Sequence, residues 1–300
     1  MILIFSTNQE PTTTEVTRWL TFMKKSFIRV NENEVFEIKV NQKRIFLESQ
    51  KNSFFLDEVS SVWYRRGGLI FKHCRYVNKA IDLHMDETQH WLQDYVSKTL
   101  ESKRHLNKQT TNNVNKLIVL DKARESGLDV PKYFLAENTN DVILNETIIK
   151  SITQNVVLDD IEKDLDGIMY TNVVEEHENE NFFISFFQEK IEKDFEIRSF
   201  YLDGKIWSFA IFSQNDEQTK IDFRRYNTKN PNRNVRYNLP IEIEERIHTL
   251  MKSLDLNCGS LDFLKNADTY YFLEVNPVGQ FAGLSAICNY SLTREIANYL

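Results

Sequence analysis

Glycine is scarce in this chain of 300 residues: 8 are present, where the ordinary frequency of about 7% would give about 21. No G-x-G-x-x-G and no G-x-x-x-x-G-K-[ST] occurs, so any nucleotide bound here is held without the glycine loops of the dinucleotide folds or of the P-loop enzymes. A G-x-S-x-G elbow is missing too, which removes the serine hydrolases built on that turn. Cysteine is sparse and odd in number; Cys74, Cys258 and Cys288 fit thiols in a reducing cytosol better than a disulfide framework. Without a C-x-x-C pair or an H-E-x-x-H helix, no built-in zinc site is expected. The apolar run Met1-Ile2-Leu3-Ile4-Phe5 is too short for a signal-peptide core or a membrane span. It reads as a buried first strand, and a cytoplasmic protein without a membrane partner is expected.

What is present describes an ordered protein: 41% hydrophobic residues and 27% charged ones, with 37 basic against 44 acidic, argue against disorder. The length calls for more than one packed unit. Thr12-Thr13-Thr14 offers cap residues ahead of a helix bearing Val16, Trp19, Leu20 and Met23. Strands are expected at 35–40, 44–47 and 59–64. A long helix follows over about 77–106, with Ile81, Trp91, Leu92, Tyr95, Val96 and Leu100 on one core-facing stripe. Residues 1–105 therefore read as an N-terminal α/β unit. The polar stretch 108–113 reads as a linker, and a helix from Asn115 ends at Gly127. Strands at 133–136, 147–152 and 168–173, with a variable stretch at 153–166, make 106–180 a small α+β unit. From 181 to 300 the pattern is an antiparallel meander with a hairpin at Asp203-Gly204, a helix at about 241–256 and a second hairpin, 259–265 with 269–275.

The segment Tyr270-Tyr271-Phe272-Leu273-Glu274-Val275-Asn276-Pro277 is the most informative. On a strand, Glu274 and Asn276 share one face while Leu273 and Val275 point into a core. Asp262 lies on the preceding strand of the same hairpin. Three oxygen-bearing side chains on adjacent strands suit Mg²⁺, which takes one or two carboxylates and completes its shell with water and phosphate; the alternative is a solvated strand face. Phe187-Gln188-Glu189-Lys190-Ile191 is followed by Phe195-Glu196-Ile197-Arg198, where Glu196 and Arg198 share a face. A guanidinium there would fork onto a phosphoryl group, or the two residues form an exposed pair without function.

As an ordered series, Lys116, Lys150, Gln188 to Ile191, Glu196, Arg198, Asp262, Glu274 and Asn276 resemble the ATP-grasp ligases. The resemblance implies an α/β (α+β) architecture in which an N-terminal domain is joined by two α+β subdomains enclosing ATP. It implies that Lys116 and Lys150 hold phosphates, that the hinge backbone at Gln188, Glu189, Lys190 and Ile191 holds adenine, that Glu196 holds ribose, and that Asp262, Glu274 and Asn276 bind Mg²⁺. More narrowly, Trp63-Tyr64-Arg65-Arg66, Asn115-Lys116-Leu117, Asp222-Phe223-Arg224 and Leu273 to Phe281 are similar to the ATP-grasp peptide maturases of graspetide (microviridin-type) biosynthesis, grasp-with-spasm subgroup. Ala282-Gly283 departs from that pattern. The implied reaction is ADP-forming ligation: an Asp or Glu side chain of a ribosomal precursor peptide, leader plus core, is phosphorylated, and a Thr/Ser hydroxyl or Lys amine closes an ω-ester or ω-amide ring. Lys150, Arg198 and Arg224 are the implied catalytic residues. A homodimer is consistent with the resemblance alone.

Residues 219–240 hold six basic side chains against the one acid Asp222 in an otherwise acidic chain, a candidate landing surface for an acidic peptide. Asp222, Arg224 and Arg225 are its expected core, and 227–234 a covering loop. The alternatives are a solvated basic loop or, since Phe223, Tyr226 and Tyr237 interleave, a nucleic-acid surface; the acidic remainder argues against nucleic acid as a partner. Arg65 and Arg66, before Gly67-Gly68, are a second basic spot, able to orient peptide or nucleotide or to decorate a turn. None of the six histidines pairs with a motif residue. A ligase adding amino acids to a peptide or protein tail would share the nucleotide residues, and a silent peptide-binding module is the alternative of a different class.

Overall fold

The computed structural model describes residues 1–111, 113–153, 157–162, 165–176, 180–225 and 227–300, and the side chains of these except at 157–162, 165 and 166. Of the variable stretch 153–166, residues 154–156, 163 and 164 lie outside the described residues, as do His177 and Tyr226. The chain divides into two compact units, Met1–Asn113 with Ser291–Leu300, and Val114–Tyr290.

In the first unit, β1 (Ile2–Ser6) is buried along its whole length. It lies between β2 (Phe27–Asn31) and β6 (Ser61–Tyr64), parallel to both, and β8 (Arg104–Leu106) extends the sheet in the order β2-β1-β6-β8. A central parallel strand is covered on both faces, which explains an unbroken apolar run instead of alternation. A second sheet, β5-β4-β3-β7, is built from β3 (Val35–Asn41), β4 (Arg44–Glu48), β5 (Ser53–Phe55) and β7 (Ile70–Phe71). Helix α1 (Pro11–Phe22) starts one residue before the threonines, with Pro11 in its first turn and Glu10 at the cap position. The fixed φ of proline suits that site; Thr13 is instead buried and hydrogen-bonds the Ser6 hydroxyl at 2.8 Å.

The long helical pattern divides. Helix α2 (Lys79–Glu101) is capped by Asn78, whose side chain accepts from the Ala80 and Ile81 amides, and the chain then turns into β8. Only Val96 and Leu100 of the expected stripe join the core; Ile81, Leu92, Trp91 and Tyr95 stay exposed, the last two at 58% and 57%. Periodicity located the apolar face but not how much of it is covered.

In the second unit, β9 (Tyr133–Asn138), β10 (Thr147–Lys150), β13 (Asn172–Val173) and β14 (Asn181–Glu189) form an antiparallel sheet ordered β13-β10-β14-β9, beside the hairpin β11 (Val157–Glu162) and β12 (Leu165–Ile168). A unit boundary at 180 is therefore misplaced: β14 pairs with β9 and β10, and the chain leaves this sheet at 190–194. The larger sheet, β17-β16-β15-β18-β19, comprises β15 (Phe195–Leu202), β16 (Lys205–Phe212), β17 (Arg233–Tyr237), β18 (Cys258–Asn266) and β19 (Thr269–Asn276). Asp203 and Gly204, with φ of 44° and 90°, make the β15–β16 turn, where positive φ matches the twist of the strands.

Helices α3 (Lys116–Glu125) and α4 (Ile241–Ser253) contribute to one core with this sheet. On α4, Ile243, Ile247, Leu250 and Met251 are buried at helical spacing, and they join Val119, Leu120, Ile197, Leu261, Phe263, Phe272 and Val275. After α5 (Ala282–Cys288), the last helix, α6 (Leu292–Tyr299), belongs to the first unit, where Trp19 donates to Thr293 at 3.1 Å. The C-terminal unit read as 181–300 thus loses its final ten residues. Among the described residues no helix is long and apolar enough to cross a membrane.

Candidate functional site

Strand alternation leaves the second face of the larger sheet to polar groups. Opposite the core residues Ile197, Leu261, Phe263 and Val275 stand Glu196, Arg198, Asp262 and Glu274. Cross-strand register aligns Arg198 with Asp262, and Asp262 with Glu274. The next pair is Phe263 with Phe272, so Leu273 is the extra residue of a β-bulge. This corrects the expectation for Leu273: it is half-buried and lines the cleft, whereas Phe272 enters the core. The bulge keeps Val275 inside and aims Glu274 and Asn276 into the cleft.

Charges converge on this row. Arg198 Nε and Nη2 donate to Asp262 Oδ1 and Oδ2 at 2.7 and 2.8 Å; burial disfavours the guanidinium charge, but Asp262 outweighs that and holds its pKa above the usual range. Asn115 caps α3 by accepting from the Leu117 and Ile118 amides, which puts Lys116 on the first turn. Lys116 Nζ lies 3.1 Å from Glu274 Oε2 and donates to the Ser151 carbonyl at 2.8 Å. Lys150, at the end of β10, lines the same cleft of about 230 Å³. Burial pushes the Lys150 ammonium down, with Glu274 opposing and Lys116 and Arg224 adding to the shift. For Glu274, burial acts upward, yet Lys150, Lys116 and Arg224 overcome it and pull the carboxyl down to about 2. It is a carboxylate at any physiological pH.

A second group borders the first. Glu196, 7% exposed, accepts from Lys193 at 2.6 Å and from Ser213 at 3.2 Å; burial still leaves its pKa raised, because Lys193 offsets only part of the lost hydration. Asp222, 5% exposed, accepts from the Thr171 amide at 3.0 Å and from Arg224 Nε and Nη2. Burial acts upward on Asp222, and the hydrogen bond and charge of Arg224 turn the shift downward. Asp222 therefore orients Arg224, which lines the cleft. Phe223 lies 5.4 Å beneath the Arg198 guanidinium, and Arg225 stacks on Tyr170 at 5.0 Å while bonding Asn172.

Other expected site residues lie elsewhere or do other work. Arg65, 3% exposed, is held by Glu10 at 3.3 Å, and Arg66 shares that carboxylate at 3.2 Å; the Arg65 charge serves a buried ion pair in the first unit. In the hinge, the Lys190 amide donates to the Glu146 carbonyl, Glu189 accepts from the Lys132 amide, and the Lys190 side chain pairs with Glu192 at 2.9 Å. Ile191 is half-buried beside them, and Gln188 is 1% exposed. The basic stretch is only partly a free surface: Arg236 donates to the Cys288 and Asn289 carbonyls and Arg233 lies over Phe212. The proposed covering loop runs into β17 at Arg233. Lys193, Ser213 and Thr171 were not singled out from sequence. Lys193 had a signal, three residues before Glu196 just past the hinge; Ser213 and Thr171 had none.

No protein-family model matches the chain, and no curated protein matches its sequence. Solved structures do match it. The macrocyclase MdnC of Microcystis aeruginosa MRC, bound with precursor peptide MdnA, is 24% identical with a TM-score of 0.75, over 100% of this chain and 99% of that one. A RiPP-associated ATP-grasp ligase of Chryseobacterium gregarium, in complex with ADP and a leader and core peptide, is 23% identical with a TM-score of 0.80, over 100% and 96%. The chain has the ATP-grasp fold. The ATP-grasp ligase PsnB, complexed with a phosphomimetic variant of its minimal precursor, Mg and ADP, shares that fold at 16% identity and a TM-score of 0.65, over 99% and 96%. The cleft with Lys116, Lys150, Asp262 and Glu274 is lined from both antiparallel sheets of the second unit.

Proposed function

We propose that this chain is an ADP-forming ligase that activates Asp or Glu side chains of a ribosomal precursor peptide and closes ω-ester or ω-amide rings within it. The observation that carries this reading is the cleft, where Lys116, Lys150, Arg198 and Arg224 surround the cross-strand carboxylates Asp262 and Glu274. The lining also carries Glu196 and Asp222, so four cations meet four carboxylates. The oxygen row of Asp262, Glu274 and Asn276 beside two lysines favours a polyphosphate that arrives with its own metal. The two ADP-bound structures, one with a leader and core peptide and one with Mg and a variant of a minimal precursor, support the same reading. Cys74, Cys258 and Cys288 as thiols support a cytoplasmic setting.

The residues fit both groups. Among the described residues no set of three or more His, Cys, Asp or Glu is arranged for a metal, so an ion here relies on Asp262, Glu274 and the Asn276 amide oxygen plus phosphate and water. That all-oxygen set suits Mg²⁺. Each carboxylate oxygen bonded to Arg198 or Lys116 retains a further lone pair. Lys116 and Lys150 are placed for phosphates, and Glu196, held by Lys193 and Ser213, for ribose hydroxyls.

ATP supplies the phosphoryl group and Mg²⁺ the countercharge when they are bound. The chain's part is positioning and electrostatics, which carry most of the rate in phosphoryl transfer. Arg198, fixed by Asp262 and stacked over Phe223, presents its remaining donors to the cleft. Arg224, fixed by Asp222, is the group to hold the acceptor carboxylate and later the acyl phosphate as it is attacked. Ring closure then expels phosphate and removes one water's mass per bond.

The test is mass spectrometry of an acidic, Thr- or Lys-bearing precursor incubated with the protein, ATP and Mg²⁺. Loss of one water per ring with equimolar ADP is expected; a gain of amino-acid mass would mark a tail-adding ligase, and no ADP release with any peptide would sink the enzyme reading. Arg224→Ala is expected to slow ring closure by about 10-fold or more while ADP affinity, read by titration, changes less than threefold. Equal losses in both would remove Arg224 from the acceptor side.

A further inference from the structure

Arg224 and Arg225 are neighbours in sequence but serve different elements. Arg224 lines the cleft with Lys150 and Asp262, whereas Arg225 is not among the described residues that line it. Arg225 turns to the smaller sheet, where its Nη2 donates to Asn172 Oδ1 and its guanidinium lies over the Tyr170 ring at 5.0 Å. A second tie runs beside it: the Thr171 amide donates to Asp222 Oδ2 at 3.0 Å, with Thr171 8% and Asp222 5% exposed. Three consecutive residues, Tyr170, Thr171 and Asn172, thus hold both ends of the stretch 222–225. Asn172 belongs to β13, the edge strand of its sheet, and stands opposite Ile149 of β10, next to Lys150. Just before the stretch the chain is anchored elsewhere, with Lys193 donating to the Ile221 carbonyl at 3.2 Å and Thr219 to the Ser213 carbonyl at 2.9 Å.

We infer that Arg225 is a positioning residue of the acceptor side: it fastens the stretch 222–225, and with it Arg224, to the strand edge beside Lys150, so that nucleotide and acceptor carboxylate are held at one spacing. This rests on the ligase reading given above. Misplacing reacting groups by about 1 Å is enough to slow a reaction by about 100-fold, and Lys150 and Arg224 reach the cleft from segments far apart in sequence. The Thr171 bond fixes one point of the stretch; Arg225 supplies a second, and two points set its orientation. A guanidinium suits the task because it stacks on a ring and donates in its plane at once, which an ammonium does not. A nucleotide drawn onto Lys150 steadies β10 and β13 and, through Tyr170 and Asn172, the arginine on the acceptor side.

The experiment is hydrogen exchange, read by mass spectrometry on the full chain with and without ADP and Mg²⁺, in the unchanged protein and in Arg225→Met. Should methionine prevent folding, Asn172→Ala breaks the same bond from the other side. In the unchanged protein the nucleotide is expected to slow exchange by about 5-fold or more both in β10 and at 222–225. In the variant β10 should slow as before, while 222–225 keeps its nucleotide-free rate. Asn172→Asp, which gives the guanidinium a charged acceptor, should retain the response of the unchanged protein. A merely structural Arg225 would speed exchange at 222–225 equally with and without nucleotide; a response kept in Arg225→Met therefore overturns the inference and leaves the ligase proposal intact. So does a stretch 222–225 that ignores the nucleotide in the unchanged protein while β10 slows. If β10 does not slow either, the nucleotide reading falls as well.

Discussion

Glu274→Gln is expected to give a folded protein whose Mg²⁺-dependent turnover falls by about 10²- to 10³-fold. Glutamine keeps the shape and an oxygen to accept from Lys116, now 3.1 Å from the carboxylate, so the position of α3 relative to β19 survives. What it removes is a charge whose pKa the surrounding cations pull down to about 2. Asp262 alone, already forked by Arg198, is a poor site for a divalent ion, and Lys116 and Lys150 lose the anion between them. The Mg²⁺ concentration for half-maximal turnover should rise along with the loss in rate, and EDTA should abolish activity of the unchanged protein. Ring formation measured by mass, with circular dichroism for folding, checks the result. Unchanged cyclisation would end the metal assignment.

The register of Arg198 with Asp262 was not legible in the sequence, since β15 and β18 pair there across 64 residues of chain, whereas the pair Asp262 and Glu274 was, because strands alternate and a short hairpin joins β18 to β19. Leu273 was misread for the same reason: one inserted residue reverses the alternation, and nothing in Tyr271-Phe272-Leu273-Glu274 announces the bulge. The membership of β14 was hidden because pairing with β9 and β10 is long-range, and an alternating strand carries no mark of its partner. Helix α2 shows the same limit, since its apolar stripe was visible but Trp91 and Tyr95 remain uncovered. Charge counting found Arg224 and overestimated Arg236, whose donors go to backbone carbonyls at the end of α5. Composition reports how many cations a stretch holds; only the fold assigns each one an acceptor. The glycine shortage has a matching reason, since the candidate phosphate site is made of side chains projecting from β10, β15 and the first turn of α3, and needs no glycine cradle.

Lys150→Met is expected to lower turnover by about 10²-fold or more and to weaken ADP binding, since methionine fills the volume of the lysine stem without its charge. The cost of keeping that charge is already visible, because burial pushes the ammonium down and Glu274 is its main support. The two groups are therefore coupled, and a double-mutant cycle reads the coupling. Each single change leaves an unbalanced charge in the cleft: Lys150→Met leaves Glu274 with Lys116 alone as its close partner, and Glu274→Gln leaves two lysines facing each other. Removing both charges together relieves each of them. The stability of Lys150→Met with Glu274→Gln, measured by urea unfolding, should exceed the sum of the single losses by about 0.5–3 kcal/mol, while turnover falls no less than in the worse single variant. Additive stabilities would mean that the two groups do not feel each other across the cleft, and that the phosphate site is not assembled from both sheets as described.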